Sequence, residues 1–191
     1  MVRSSGGSVT GLTHAKHPAG IGTLLNVVVT REPRLRRVLV AASAGLFAIQ
    51  LDFFAMQAAL PAMASDLSTS IDSMQWVISG YMLSLASFFV AGGRLADIFG
   101  RRRWLIIGAA VFGVASLAGG AAPNATVVIA MRVVQGVGGA ILFTVALAVV
   151  TNAFSSALVQ RAIGLVFGIS AVGEALGPLA GGFFTEFASW R

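Results

Sequence analysis

The chain has no cysteine, one tyrosine and two histidines in 191 residues, and only 10% of those residues are charged. Without cysteine there is no disulfide framework and no thiolate metal or redox chemistry. The two histidines, His14 and His17, lie near the start and outside every long apolar run, so neither a buried histidine site nor a Ser-His-Asp set is credible. Gly136-Val137-Gly138-Gly139 has Ile141 where a dinucleotide fingerprint needs glycine, and no Walker-type phosphate loop occurs. These gaps leave no catalytic residue, no metal ligand set and no cofactor motif, and the chain is read as a non-enzyme. The shortage of charge is the most restrictive of them. A soluble domain of this length needs far more charge to cover its surface. With 57% hydrophobic residues and a mean hydropathy of +0.87, most of the chain must face lipid or other apolar helices.

Five long apolar runs cover roughly residues 38–62, 75–93, 104–122, 125–151 and 162–185. A spanning helix needs about 20 apolar residues, which each run supplies, the second only just. Inside a bilayer the backbone must satisfy its own hydrogen bonds, so such runs are helices, and they are too continuous for alternating barrel strands. The expected fold class is therefore an all-α membrane protein of about five transmembrane helices. The first run is longer and further from the start than a cleavable signal would be. Residues 1–37 are expected to be a disordered cytoplasmic tail, and 38–191 a partial bundle that stops before a sixth helix. Pro61 and the polar stretch 65–70 are expected to separate the first two helices. Pro123-Asn124 separates the third and fourth, with Asn124 as an N-cap, and 152–161 separates the last two.

Charge placement predicts orientation. With the N-terminus inside, the cytoplasmic segments are 1–37, 94–103 and 152–161. They hold all of the 13 lysines and arginines except Arg132 and Arg191, while the outer loops hold Asp66 and Asp72. The positive-inside rule then predicts a cytoplasmic N-terminus. It also accounts for the net charge of +6 with no nucleic-acid partner.

Three ionisable residues lie inside the runs: Asp52, Arg132 and Glu174. Each costs about 2.5–3.5 kcal/mol at mid-bilayer on insertion scales, so each needs a reason. Asp52 is either a neutral, hydrogen-bonded packing group or a carboxyl facing water, able to load and release a proton. Arg132 stays charged and needs a partner. Gln135 and Gly136 share its helix face and Gly139 continues it, so that face is either an interhelical hydrogen-bond cluster or a cavity wall. Glu174 sits in a stripe of Gly173, Gly177 and Gly181 that would let a neighbouring backbone approach, with Gly164 and Gly168 a similar pair. Pro178 cannot donate to the carbonyl of Glu174, which predicts a kink beside an acidic side chain. The segment Gly93 to Arg103 brackets Asp97 with arginines and reads as an ordered ion-pair turn between two helices.

These residues resemble the major facilitator superfamily, over about residues 45–191. Gly93-Arg94-Leu95-Ala96-Asp97 through Gly100-Arg101-Arg102 resembles the family's signature between its second and third helices, with Ile98 where a basic residue is usual. Arg132 to Gly139, with Gln135, is similar to the fourth-helix motif associated with proton coupling. Gly173, Gly177, Pro178, Gly181 and Gly182 resemble the antiporter motif of the fifth helix. Leu51-Asp52-Phe53 through Ala59-Leu60-Pro61 resembles the first-helix motif of the fourteen-helix drug:proton antiporters, with Phe54 and Gln57 departing from its usual threonine and asparagine. Gln75-Trp76, Tyr81 and Trp190-Arg191 look like the same branch.

The resemblance implies two six-helix halves around a midplane site. It implies a proton gradient as the driving force and proton-coupled efflux of drugs or small metabolites by alternating access. Asp52, Arg132, Gln135 and Glu174 would then form the proton and substrate pathway. The expected partners are a lipophilic or cationic small molecule, the lipid bilayer of the cell membrane and a C-terminal half of the same carrier. The chain stops where the family continues, so a fragment inactive on its own is expected. Two alternatives are a non-transporting truncated polypeptide and a solute-importing facilitator.

Overall fold

The computed structural model describes residue 22 and residues 32–191. Among the described residues the fold is five helices: α1 (Pro33–Asp66), α2 (Ile71–Phe99), α3 (Arg101–Gly120), α4 (Ala125–Ala153) and α5 (Ser156–Phe187). All five are long and apolar enough to cross a membrane. Four contain one of the expected runs whole and extend past it at one or both ends, whereas α3 starts three residues before its run and ends at Gly120, two residues short of the expected 122.

The boundaries follow local chemistry. Pro33 opens α1, where its fixed φ suits a first turn that lacks acceptors for its N–H groups. The helix therefore starts a turn before residue 38, and most of the tail expected over 1–37 lies outside the described residues. Pro61 does not end α1, which continues to Asp66. A proline costs a membrane helix one backbone bond, which neighbouring helices tolerate. The side chains of Ser70 and Asn124 accept from the backbone N–H of Ser73 and Val127 at 3.2 and 3.0 Å, capping α2 and α4. The segment 94–103, expected as a loop, is helix on both sides of Gly100 alone. Gly100 has φ +97°, a conformation glycine adopts without a Cβ penalty, and it turns the chain within one residue.

Packing is most extensive between α1 and α5, between α2 and α4, and between α3 and α4. Glycine makes these approaches possible. A Cβ on Gly173 would stand 2.6 Å from the Phe47 carbonyl oxygen, and one on Gly177 2.6 Å from Phe54 Cβ. One on Gly181 would meet the Ala55 carbonyl. On α4, Gly136 lies against Ser84 and the Tyr81 carbonyl of α2, and a Cβ on Gly138 would stand 2.6 Å from the Phe112 nitrogen of α3. Gly164, Gly168 and Gly182 differ: nothing lies within 4 Å of where their Cβ would be. The pair 164/168 is thus no packing stripe, because it lies off the α5 face that carries Gly173, Gly177 and Gly181.

Buried apolar residues gather toward the two ends of the bundle. Leu39, Ala42, Leu46, Ala146, Val150 and Val166 fill one end, and Ala59, Met63, Met74, Val77 and Val128 the other. Between them Asp52, Arg132 and Gln135 form a short polar stratum beside the buried apolar group Ile49, Tyr81, Phe112 and Leu142. Large apolar side chains such as Val90, Leu117, Leu179 and Phe187 project outward, as a lipid-facing surface requires.

Gly181→Leu should destabilise the protein by about 1–3 kcal/mol through overpacking against α1. Gly182→Ala should leave it unchanged or slightly stabilised by helix propensity. Thermal melts of the full-length protein in detergent distinguish the two.

Candidate functional site

Two of the three in-run ionisable residues meet. Arg132 of α4 reaches α1, where its Nη1 donates to Asp52 Oδ2 at 2.5 Å. The same nitrogen donates to Gln135 Oε1 at 2.8 Å, and Gln135 Nε2 donates to Asp52 Oδ1 at 2.9 Å. The three side chains thus close a ring in which both carboxylate oxygens are occupied. Arg132 Nε also donates to the Val77 carbonyl of α2 at 3.3 Å. The guanidinium lies 4.3 Å from the centre of the Tyr81 ring, within cation–π range.

Burial sharpens the arrangement. The Arg132 side chain is 2% exposed and that of Asp52 17%. The helix geometry explains how one turn of α4 supplies two arms of the ring: Arg132 and Gln135 are three apart and share a face. Gly136 and Gly139 on that side bring α2 close, so that Tyr81 and the Val77 carbonyl come within reach. Arg132 Nη2 and Tyr81 Oη are buried without a hydrogen-bond partner among the described residues. An arginine in this setting is held by its carboxylate more than by any other contact.

Asp52, Arg132 and Gln135 line a cavity of about 540 Å³ bounded also by Ser116, Thr185 and Trp190. At one end of the bundle, Asp66 Oδ2 accepts from Trp190 Nε1 at 2.9 Å and from Arg191 Nη1 at 2.6 Å. This clasp ties the end of α1 to the segment after α5, beside the cavity.

Glu174 is not part of the ring. Its Oε2 accepts from Gln50 Nε2 at 3.3 Å, and both residues line a second cavity of about 340 Å³. The expected grouping of Asp52, Arg132, Gln135 and Glu174 therefore divides between two cavities. Gln50 was not singled out from sequence, because an uncharged amide escapes a search for ionisable residues. Its signal is a polar side chain two residues before Asp52 in an apolar run. α5 runs helical through Pro178, next to Gly177 on its α1-facing side.

At the opposite end, Arg101 Nε and Nη2 donate to Asp97 Oδ1 at 3.0 and 2.8 Å, and Arg101 Nη1 donates to the Ala148 carbonyl at 3.2 Å. The ion pair expected in this segment thus forms across the Gly100 turn and pins it to α4. Arg94 and Arg102 stay outside it: Arg94 and Arg102 are exposed.

Comparison with known proteins adds an independent line. The sequence profile of the Major Facilitator Superfamily matches residues 42–191. The chain is 38% identical over 154 residues to multidrug resistance protein Stp of Mycobacterium tuberculosis, covering 80% of this chain and 29% of that protein. It is 41% identical over 154 residues to the cephamycin export protein CmcT of Amycolatopsis lactamdurans, covering 80% and 32%. With the puromycin resistance protein pur8 of Streptomyces alboniger it shares 40% identity over 161 residues, covering 84% and 32%. The chain thus spans about a third of the length of these relatives.

Removing one member of the ring should cost more than removing both charges. Arg132→Met should destabilise the protein by about 3–5 kcal/mol by stranding Asp52, and the double variant Asp52→Leu with Arg132→Met should recover much of that loss. Thermal unfolding of the four proteins in a double-mutant cycle reads the coupling directly.

Proposed function

The chain belongs to the Major Facilitator Superfamily and is a multi-pass membrane protein, and we propose that the whole carrier exports drugs or small metabolites in exchange for protons by alternating access. The observation that carries this reading is the Asp52–Arg132–Gln135 ring, set at mid-span and lining a cavity. The names of the relatives, which include a cephamycin export protein and puromycin and multidrug resistance proteins, support the direction of transport.

The chemistry proposed for the ring is a switch between two charge states. With Asp52 ionised, its charge balances Arg132 and the ring is closed. A proton on an Asp52 oxygen removes that charge and the acceptor it offers there. Arg132 then loses its main counter-charge and must be stabilised by Gln135, the Val77 carbonyl and the Tyr81 ring. Because Arg132 bridges α1, α2 and α4, protonation would change the relative stability of two helix arrangements, as coupling requires. The glycine-backed contact of α5 with α1 would let those helices shift against each other. The Arg101–Asp97 pair would hold the turn between α2 and α3 in place on the cytoplasmic side.

Orientation follows from charge. The end carrying Arg34, Arg36, Arg37, Arg101, Arg102, Arg103 and Arg161 is proposed to be cytoplasmic. In the full-length carrier, Asp52→Asn should abolish proton-driven efflux of a lipophilic cation from proteoliposomes, and efflux at the wild-type rate would defeat the role given to Asp52. The absence of native cysteine from this chain makes its topology directly readable. Ser70→Cys should react with a membrane-impermeant maleimide added outside whole cells, and Ser155→Cys only after the membrane is opened.

A further inference from the structure

We infer that Glu174 and Gln50 form a recognition subsite for an organic cation, separate from the proton-handling ring at Asp52. The inference rests on the efflux reading above and names the substrate chemistry of the second cavity.

The two acidic residues within the apolar runs, Asp52 and Glu174, differ in what surrounds them. Asp52 has both oxygens engaged and an arginine at 2.5 Å, so its negative charge is already balanced. A cation arriving there would have to displace a buried guanidinium. Glu174 has one neutral donor, the Gln50 amide at 3.3 Å, and no basic residue within salt-bridge distance among the described residues. Among the described residues no basic side chain compensates it, and its side chain is accessible. At this depth an ionised carboxylate needs a counter-charge, and a bound cation supplies one.

The walls beside Glu174 suit an organic cation rather than a metal ion. Phe53, Phe54, Tyr81, Phe89 and Phe143 line the same cavity of about 340 Å³. Their rings are mutually inclined: Phe53 meets Phe54 edge-on at 5.3 Å, and Phe89 and Phe143 are tilted at 5.4 Å. Such a set offers π faces and apolar edges to a delocalised or quaternary cation, which gains from both. A small inorganic cation would instead want several oxygen ligands. Among the described residues no group of three potential metal ligands occurs. Tyr81 is shared: it lines this cavity and also carries the Arg132 guanidinium at 4.3 Å. A cation docked here would therefore sit one aromatic ring from the ring of charges that includes Asp52, close enough to influence it.

The test is equilibrium dialysis of tetraphenylphosphonium against the full-length carrier in detergent with no proton gradient, with the isosteric anion tetraphenylborate as control. Wild type should prefer the cation. Glu174→Gln should weaken cation binding by about tenfold or more and erase the preference, as expected for loss of a charge pair in a partly desolvated site. Glu174→Asp, which keeps the charge, should retain the preference and so exclude misfolding as the cause. Glu186→Gln, which removes an exposed carboxylate of the same helix outside both cavities, should leave the cation affinity within about threefold. An unchanged affinity in Glu174→Gln, an equal loss in Glu186→Gln, or no cation binding by wild type would each overturn the inference. A carrier that binds the cation through Glu174 but never exports it would sink the efflux reading and leave this one standing.

Discussion

A guanidinium buried to 2% exposure within a membrane helix must be neutralised where it stands, because arginine stays protonated and hydrocarbon does not solvate it. In this bundle Asp52 is what neutralises it, and much of the architecture serves to keep the two together. The ring through Gln135 fixes the carboxylate in two directions. The Val77 carbonyl and the Tyr81 ring hold the guanidinium from the α2 side. Apolar clusters toward both ends of the bundle bracket this polar stratum, which strengthens every interaction within it.

Such a contact needs helices close enough for short side chains to meet. Glycine supplies that closeness twice. Gly173, Gly177 and Gly181 bring α5 onto the backbone of α1, and Gly136, Gly138 and Gly139 bring α2 and α3 onto α4. Between apolar helices in lipid there is little hydrophobic force to draw on, so dispersion over a close backbone approach and a few polar contacts must hold the bundle. Interfaces of this kind are well suited to movement, because few bulky side chains interlock across them. The same interfaces place two cavities within one polar stratum: one holds a carboxylate already paired, the other a carboxylate with only an amide for company. The proposed exchange of a proton for a second solute would draw on that difference.

How much of this was legible from the residues alone differs by feature. The five spans, the Asn124 cap, the ion pair at Asp97 and the need of Arg132 for a polar partner could all be read directly, since each is announced by a local pattern. The continuation of α1 through Pro61 and the collapse of the 94–103 loop to a single glycine could not. In both places the nearest neighbours suggest a break, and the surrounding bundle decides otherwise. Gly164, Gly168 and Gly173 through Gly181 look alike in sequence, yet only the second group meets a partner. A helix presents every face equally until something docks on one of them.

The amino-acid sequence by itself determined how many helices cross the membrane, which charges are stranded within them and, by the balance of basic residues, which end is expected inside. Those are sums over neighbouring residues and a fixed bilayer thickness. Only the tertiary structure decided that Asp52 pairs with Arg132, 80 positions away, while Glu174 turns to Gln50. That choice depends on how each helix is rotated about its own axis. The rotation is set by where the glycines let backbones touch, a property of pairs of helices that no single stretch of sequence contains.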